Sequence, residues 1–184
     1  GGDDKLTGTS RAERFDGGDG NDTIDAGAGD DVLKGGMGSD VLNAGDGNDT
    51  FIVVGEFGAK DTFLGGAGTD TLRVEGDANL QASTFDSVEQ LQGTGGNRVS
   101  LSTVQMAGFT QANDIVLSGS SQSFTSLAGN YVLEGTTGDD TLTAGAGDNI
   151  IRPFAGNNTV NAGAGNDTVV WERGWGPNSD QAYR

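Results

Sequence analysis

The residues of this sequence able to do chemistry are carboxylates set at a fixed interval. Asp22, Asp31, Asp40 and Asp49 follow one another every nine positions. Asp4, Asp61, Asp70, Asp140 and Asp167 hold equivalent places in flanking stretches, and Asn149 and Asn158 stand in for the acid at two more. The chain has no histidine and no cysteine, which removes histidine triads, imidazole-bound zinc, thiolate nucleophiles, disulfides and iron-sulfur clusters. Acid-base catalysis needs one carboxyl pair set apart by its surroundings, whereas here acidic pairs recur along the whole array. Cation binding is the chemistry that remains, and the chain reads as a binding module and not an enzyme.

The elements that position these acids are nine-residue units. Four are contiguous: GGDGNDTID (17–25), AGAGDDVLK (26–34), GGMGSDVLN (35–43) and AGDGNDTFI (44–52). A degraded unit occupies 8–16 with Glu13 at the acidic position, and the tail of another precedes it. Residues 53–64 read as one unit carrying three extra residues, and GGAGTDTLR (65–73) restores the frame. A second block follows as GTTGDDTLT, AGAGDNIIR, PFAGNNTVN and AGAGNDTVV over 135–170.

Within a unit the first six positions favour a turn, since glycine takes left-handed backbone angles freely and Asn or Asp tolerates them next best. The last three positions read as a short strand whose middle residue, position eight, faces inward. That position holds Leu6, Phe15, Ile24, Leu33, Leu42, Phe51, Phe63, Leu72, Leu142, Ile151, Val160 and Val169, all apolar. A disordered Gly-Asp tail has no reason to keep such a phase.

These units resemble the glycine-rich nonapeptide GGxGxDxUx of RTX (repeats-in-toxin), or hemolysin-type, calcium-binding proteins. The resemblance covers about twelve units across 1–73 and 135–170. It implies an all-β fold, a right-handed parallel β-roll or β-solenoid with two units per coil, built as two calcium-binding repeat blocks joined by a β-rich segment outside the repeat. Two units per coil place Asp4, Asp22, Asp40 and Asp61 in one ladder and Glu13, Asp31, Asp49 and Asp70 in the other. Carboxylates at a strand spacing of about 4.8 Å repel by roughly 3 kcal/mol per pair at an effective dielectric near 20, so a cation is expected between them. Calcium suits a mixed set of carboxylates and backbone carbonyls. The family further implies carbonyl ligands from turn glycines, namely Gly18, Gly20, Gly27, Gly29, Gly36, Gly38, Gly45 and Gly47. Three gaps in each first-block ladder, plus Asp140 with Asn158 and Asn149 with Asp167, give about eight candidate Ca2+ sites. Eight divalent ions would nearly balance the formal charge of −17. The first block is expected to bind more tightly, and the calcium-free chain to be disordered.

That acidic charge argues against nucleic acid, and no apolar run is long enough to span a membrane. No signal-peptide pattern opens the chain. Residues 74–134 lack the nonapeptide but hold apolar stretches at Val88–Leu91, Val99–Leu101, Ile115–Leu117 and Tyr131–Leu133. The interval of 16 residues from Val99 to Ile115 and again to Tyr131 suits a continuing solenoid. A compact β-rich insert is the other reading, and Ser102–Met106 suits a short capped helix in either. Residues 171–184, with Trp171, Trp175 and Tyr183, read as an end cap or the start of a further module. Arg73, Arg98, Arg152 and Arg173 read as surface ion-pairing residues.

By resemblance, such regions belong to larger bacterial proteins that leave the cell by type I secretion and fold in extracellular calcium. The expected setting is a secreted or cell-surface structural protein of the adhesin or surface-layer type, with self-association or a cell-surface partner. The alternative is the C-terminal module of an extracellular enzyme or toxin. The Ser/Thr-rich middle and the polar end, Asn178 to Arg184, favour the first.

Overall fold

In the computed structural model, residues 1–55, 59–101, 109–118, 127–171 and 182–183 are described. Among them every regular element is a strand and every pairing is parallel. The first block forms β1 (Lys5–Thr7), β2 (Arg14–Asp19), β3 (Thr23–Ala28), β4 (Val32–Met37), β5 (Val41–Asp46), β6 (Thr50–Val54), β7 (Thr62–Ala67) and β8 (Thr71–Glu75). Odd and even strands fall on opposite sheets, β1-β3-β5-β7 on one and β2-β4-β6-β8 on the other. The chain therefore winds as a solenoid in which two nonapeptides complete a coil. Partners lie 18 residues apart, as in Ile24 with Leu42 and Phe15 with Leu33. Across the insertion the interval becomes 21 on both sheets, Leu42 with Phe63 and Phe51 with Leu72, so the three extra residues are absorbed without breaking either ladder.

The strands form because each coil buries one apolar residue per side between its neighbours. Ile24, Leu33, Leu42, Phe51, Phe63 and Leu72 are all fully buried. Phe51 meets Phe63 edge-on across the core, and Phe63 stacks on Phe85 at a centroid distance of 4.9 Å. Such ring pairs add specific geometry to the area they bury.

In the middle segment lie β9 (Ala78–Asn79), β10 (Thr84–Asp86), β11 (Gln90–Ser100) and β12 (Gln111–Ser118). β10 carries the odd-numbered sheet one rung further and ends it, a strand the sequence pattern did not reveal. The even-numbered sheet passes from β8 through β11 and β12 into β13 (Val132–Glu134), β15 (Ile150–Arg152) and β17 (Thr168–Val169) without interruption. The interval of 16 holds between β12 and β13, where Val116 pairs with Val132. It fails one rung earlier, because a register shift between Gln92 and Asn97 pairs Val99 with Leu117 and Asn97 with Ile115, an interval of 18. Ser102–Met106 lies outside the described residues.

On the other side of the second block, β14 (Thr141–Thr143), β16 (Thr159–Asn161) and β18 (Ala182–Tyr183) make a separate short sheet in which Tyr183 pairs with Val160. Trp171 is half-buried against the core. Trp175, Arg173 and Asn178–Asp180 lie outside the described residues.

Candidate metal centre

The turn between strands is where the sixth position of each unit acquires its setting. Asp22, Asp31, Asp40, Asp49, Asp61 and Asp70 are all buried, as are Asp140, Asn149 and Asn158. Each points along the stack instead of outward. Asp22 Oδ1 accepts the backbone N–H of Asp4 at 2.8 Å, Asp40 that of Asp22 at 2.8 Å, and Asp61 that of Asp40 at 2.9 Å. In the second ladder Asp31 accepts from Glu13, Asp49 from Asp31 and Asp70 from Asp49. Both expected ladders are thus physical columns, each rung tied to the one before it.

The columns run further than the repeat pattern. Ser83 Oγ accepts the N–H of Asp61 at 3.2 Å, and Glu89 Oε2 that of Asp70 at 2.8 Å. Neither residue sits in a recognisable nonapeptide, so only their distances to the preceding rung, 22 and 19 residues, give them away.

One carboxylate oxygen is satisfied by that backbone donor, and the other is not. Oδ2 of Asp22, Asp31, Asp40, Asp49 and Asp70 is buried and accepts no hydrogen bond. Burial, opposed by the backbone hydrogen bond and reinforced by neighbouring carboxylates, raises the carboxyls of Asp31, Asp40 and Asp49 above their ordinary range. The same causes push Asp70 up to about 6. A buried carboxylate oxygen without a donor is costly unless a cation meets it.

Backbone oxygens converge on the same points. A methyl group added at Gly17 would strike both Asp22 Oδ2 and the carbonyl oxygen of Gly35, and one at Gly65 would strike Asp70 Oδ2 and the carbonyl of Ser87. The carbonyls of Gly35 and Ser87, one coil on, therefore border the free oxygens of Asp22 and Asp70, a contribution the sequence reading, which named Gly18, Gly20, Gly27, Gly29, Gly36, Gly38, Gly45 and Gly47, did not include. The carbonyls of Gly18, Gly20, Gly27, Gly29, Gly45 and Gly47 face the matching glycine one coil on, and no Cβ could fit there. Gly38 has φ of +134° and sits against the Gly20 carbonyl, which needs glycine on both counts.

Among the described residues no three acidic side chains gather at one point. The donor set is instead one or two carboxylates per rung with backbone carbonyls, all hard oxygen, which fits calcium and not a nitrogen- or sulfur-seeking metal.

An outer row of position-five side chains binds the turns in the opposite sense. Asp3 accepts the N–H of Asn21, Asn21 that of Ser39, Asp30 that of Asn48 and Asn48 that of Thr69. Inner acids reach back one coil while outer Asn or Asp residues reach forward, so each turn is held from both sides. The Asn-Asp and Asp-Asp pairs in the units were the available signal.

Two of the arginines do not behave as free surface charges. Arg98 and Arg152 converge on the buried carboxylate of Glu134, at 3.1 and 3.0 Å, whereas Arg73 pairs locally with Glu75. Residues 127–134 also take the repeat form, with Gly129, Asn130 and Tyr131 in the places of glycine, Asn and Asp, a unit the sequence reading passed over. Asn130 holds the outer-row role by accepting the N–H of Asp148.

A search of curated proteins returns no match to the chain. A family model for the RTX calcium-binding nonapeptide repeat, four copies long, matches residues 1–33, 16–51, 58–80, 128–153 and 134–169, together more than half of the sequence. With the same residues forming stacked parallel coils and oxygen-lined turns, the chain belongs to the RTX calcium-binding repeat family.

Proposed function

We propose that this chain is the β-roll region of a larger secreted protein, held unfolded where calcium is scarce and folded by calcium outside the cell. The observation that carries this is the column of buried first-block carboxylate oxygens without donors. Each rung removes carboxylates from water, and only a cation bound between coils offsets that cost, so binding free energy becomes folding free energy. Calcium ligands are assigned to Asp4, Asp22, Asp31, Asp40, Asp49, Asp61 and Asp70, with turn carbonyls completing each shell. The repeat roll is structural, and no catalytic residue is assigned to it.

The uninterrupted even-numbered sheet supports one long rod in place of two separate rolls, with 1–73 and 135–170 as repeat blocks, 74–134 as their junction and 171–184 as a cap. A continuous rod favours a structural role at the cell surface, of the adhesin or surface-layer kind, over a tail module of an extracellular enzyme or toxin. Among the described residues no helix is long and apolar enough to cross a membrane.

Calcium titration followed by circular dichroism and calorimetry tests the reading. A cooperative gain of β signal with several ions bound per chain is expected, and unchanged β content in chelator would overturn it. Protease treatment of intact cells carrying the full-length protein separates a surface-attached product from a released one.

A further inference from the structure

The two repeat blocks treat the same position of the turn in opposite ways. In the first block the inner carboxylates of five rungs each leave a buried oxygen without a donor. In the second block the corresponding groups of Asp140, Asn149 and Asn158 find their partners within the protein. Asn158 turns its Nδ2 toward its own turn and donates to the carbonyls of Pro153, Phe154 and Ala155 at 3.2 to 3.4 Å. Its Oδ1 meanwhile accepts the N–H of Asp140 at 2.8 Å, keeping the ladder bond of an aspartate.

The other rungs follow suit by different chemistry. Asn149 Nδ2 donates to the Gly147 carbonyl at 3.1 Å. Asp140 keeps its charge, but Thr136, at a position that is glycine throughout the intact first-block units, donates its backbone N–H to Oδ2 at 2.7 Å and its hydroxyl to Oδ1 at 3.1 Å. At the rung before Asn149 the acid is replaced by Tyr131, buried, whose hydroxyl accepts the Gly145 N–H at 2.8 Å. Three residues after Tyr131 in the same coil, Arg98 and Arg152 neutralise Glu134.

We propose that the second block is a metal-independent roll, in which the Asn149 and Asn158 carboxamides and the Thr136 donors take the place of calcium, and that it forms the folded base on which the first block assembles when calcium arrives. The residues at these turns do not fit a calcium site. An amide N–H₂ pointing at turn carbonyls presents positive hydrogens where a cation would compete for the same oxygens, and Asn149 and Asn158 leave each facing pair with one carboxylate in place of two. The sites expected at Asp140 with Asn158 and at Asn149 with Asp167 are thereby withdrawn, and metal binding is confined to the first block. This rests on calcium folding the first block.

Hydrogen exchange of the whole chain, read by mass spectrometry in chelator and in millimolar calcium, separates the outcomes. The expected result is that amides of 128–169 exchange within about threefold of one rate in both conditions, while those of 14–75 exchange at least about tenfold faster in chelator. Simultaneous loss and recovery of protection in both blocks would overturn the inference and leave calcium-driven folding standing. Protection of the first block in chelator would overturn calcium-driven folding, while calcium-insensitive protection of 128–169 would still support the metal-free second block. The double variant Asn149→Asp, Asn158→Asp is measured beside it by calorimetry. It should bind at least one more calcium than the parent chain and lose second-block protection in chelator, and an unchanged ion count with unchanged protection would overturn the inference.

Discussion

Asp49 accepts the backbone N–H of Asp31 at 2.7 Å through one carboxylate oxygen and buries the other with no donor at all. That division of labour within a single side chain separates what holds the turns in register from what makes them need a cation. It also predicts that two substitutions of similar size act differently. Asp31→Ala with Asp49→Ala should remove both functions, lowering the bound calcium count and weakening the first block even in saturating calcium. Asp31→Asn with Asp49→Asn should lower the count but keep the ladder bond, so that chelator costs less β signal than in the parent chain. Calorimetric stoichiometry and circular dichroism in chelator distinguish the pairs.

The response to pH should change sign with calcium. Burial and neighbouring carboxylates raise Asp70 to about 6 from an ordinary value of 3.8. In chelator the folded state then holds more protons than the unfolded one between those values. Its penalty is fully present above about 6 and is relieved as pH falls toward 4. With calcium the ligands must be ionised, so acidification through the same window releases metal and destabilises the fold. Melting temperatures from pH 7 to pH 5 should fall in calcium, and β content should rise in chelator.

Gly38→Ala should damage the first block out of proportion to its size. The position has φ of +134°, and a methyl group would be driven into the Gly20 carbonyl of the coil below. Backbone strain of this kind costs about 1–3 kcal/mol before the clash is counted. Lys34→Ala, which breaks an ion pair with Asp16 between partly exposed groups, should cost no more than about 1 kcal/mol. Chemical denaturation in calcium compares the two.

The Arg98–Glu134–Arg152 group should show a strong asymmetry. Glu134 has 2% of its side chain exposed, whereas Arg98 and Arg152 keep 59% and 38%. Glu134→Gln frees two arginines that water can still solvate, a loss of about 1 kcal/mol. Arg98→Ala with Arg152→Ala strands a buried carboxylate, which costs about 3–5 kcal/mol. Equal losses in urea unfolding would show that the group acts by packing alone.

Much of this was legible because the repeat is local chemistry written many times. Glycine at turn positions, an acid at the sixth and an apolar residue at the eighth fix turn, acid and core within nine residues, and with the two-unit coil that the family resemblance implies, the partners Leu33 and Phe51, or Asp31 and Asp49, follow from counting. The insertion before Phe63 changed the count by three and nothing else, because both sheets cross it at the same coil.

The sequence by itself determined the nine-residue unit, its inward row and its acidic position, since each depends on residues a constant distance apart, and the resemblance to the RTX repeat implied the two-unit coil and its two acidic columns. Only the tertiary structure decided where that constancy lapses: the shift after Gln92 that pairs Val99 with Leu117, the extension of the columns to Ser83 and Glu89, and the meeting of Arg98 with Arg152 on Glu134. It also decided that Asn158 fills its turn with its own amide while Asp40 leaves an oxygen bare. The physical reason is that a letter at position six names the group, whereas the direction in which that group spends its hydrogen bonds is set by the coil stacked upon it.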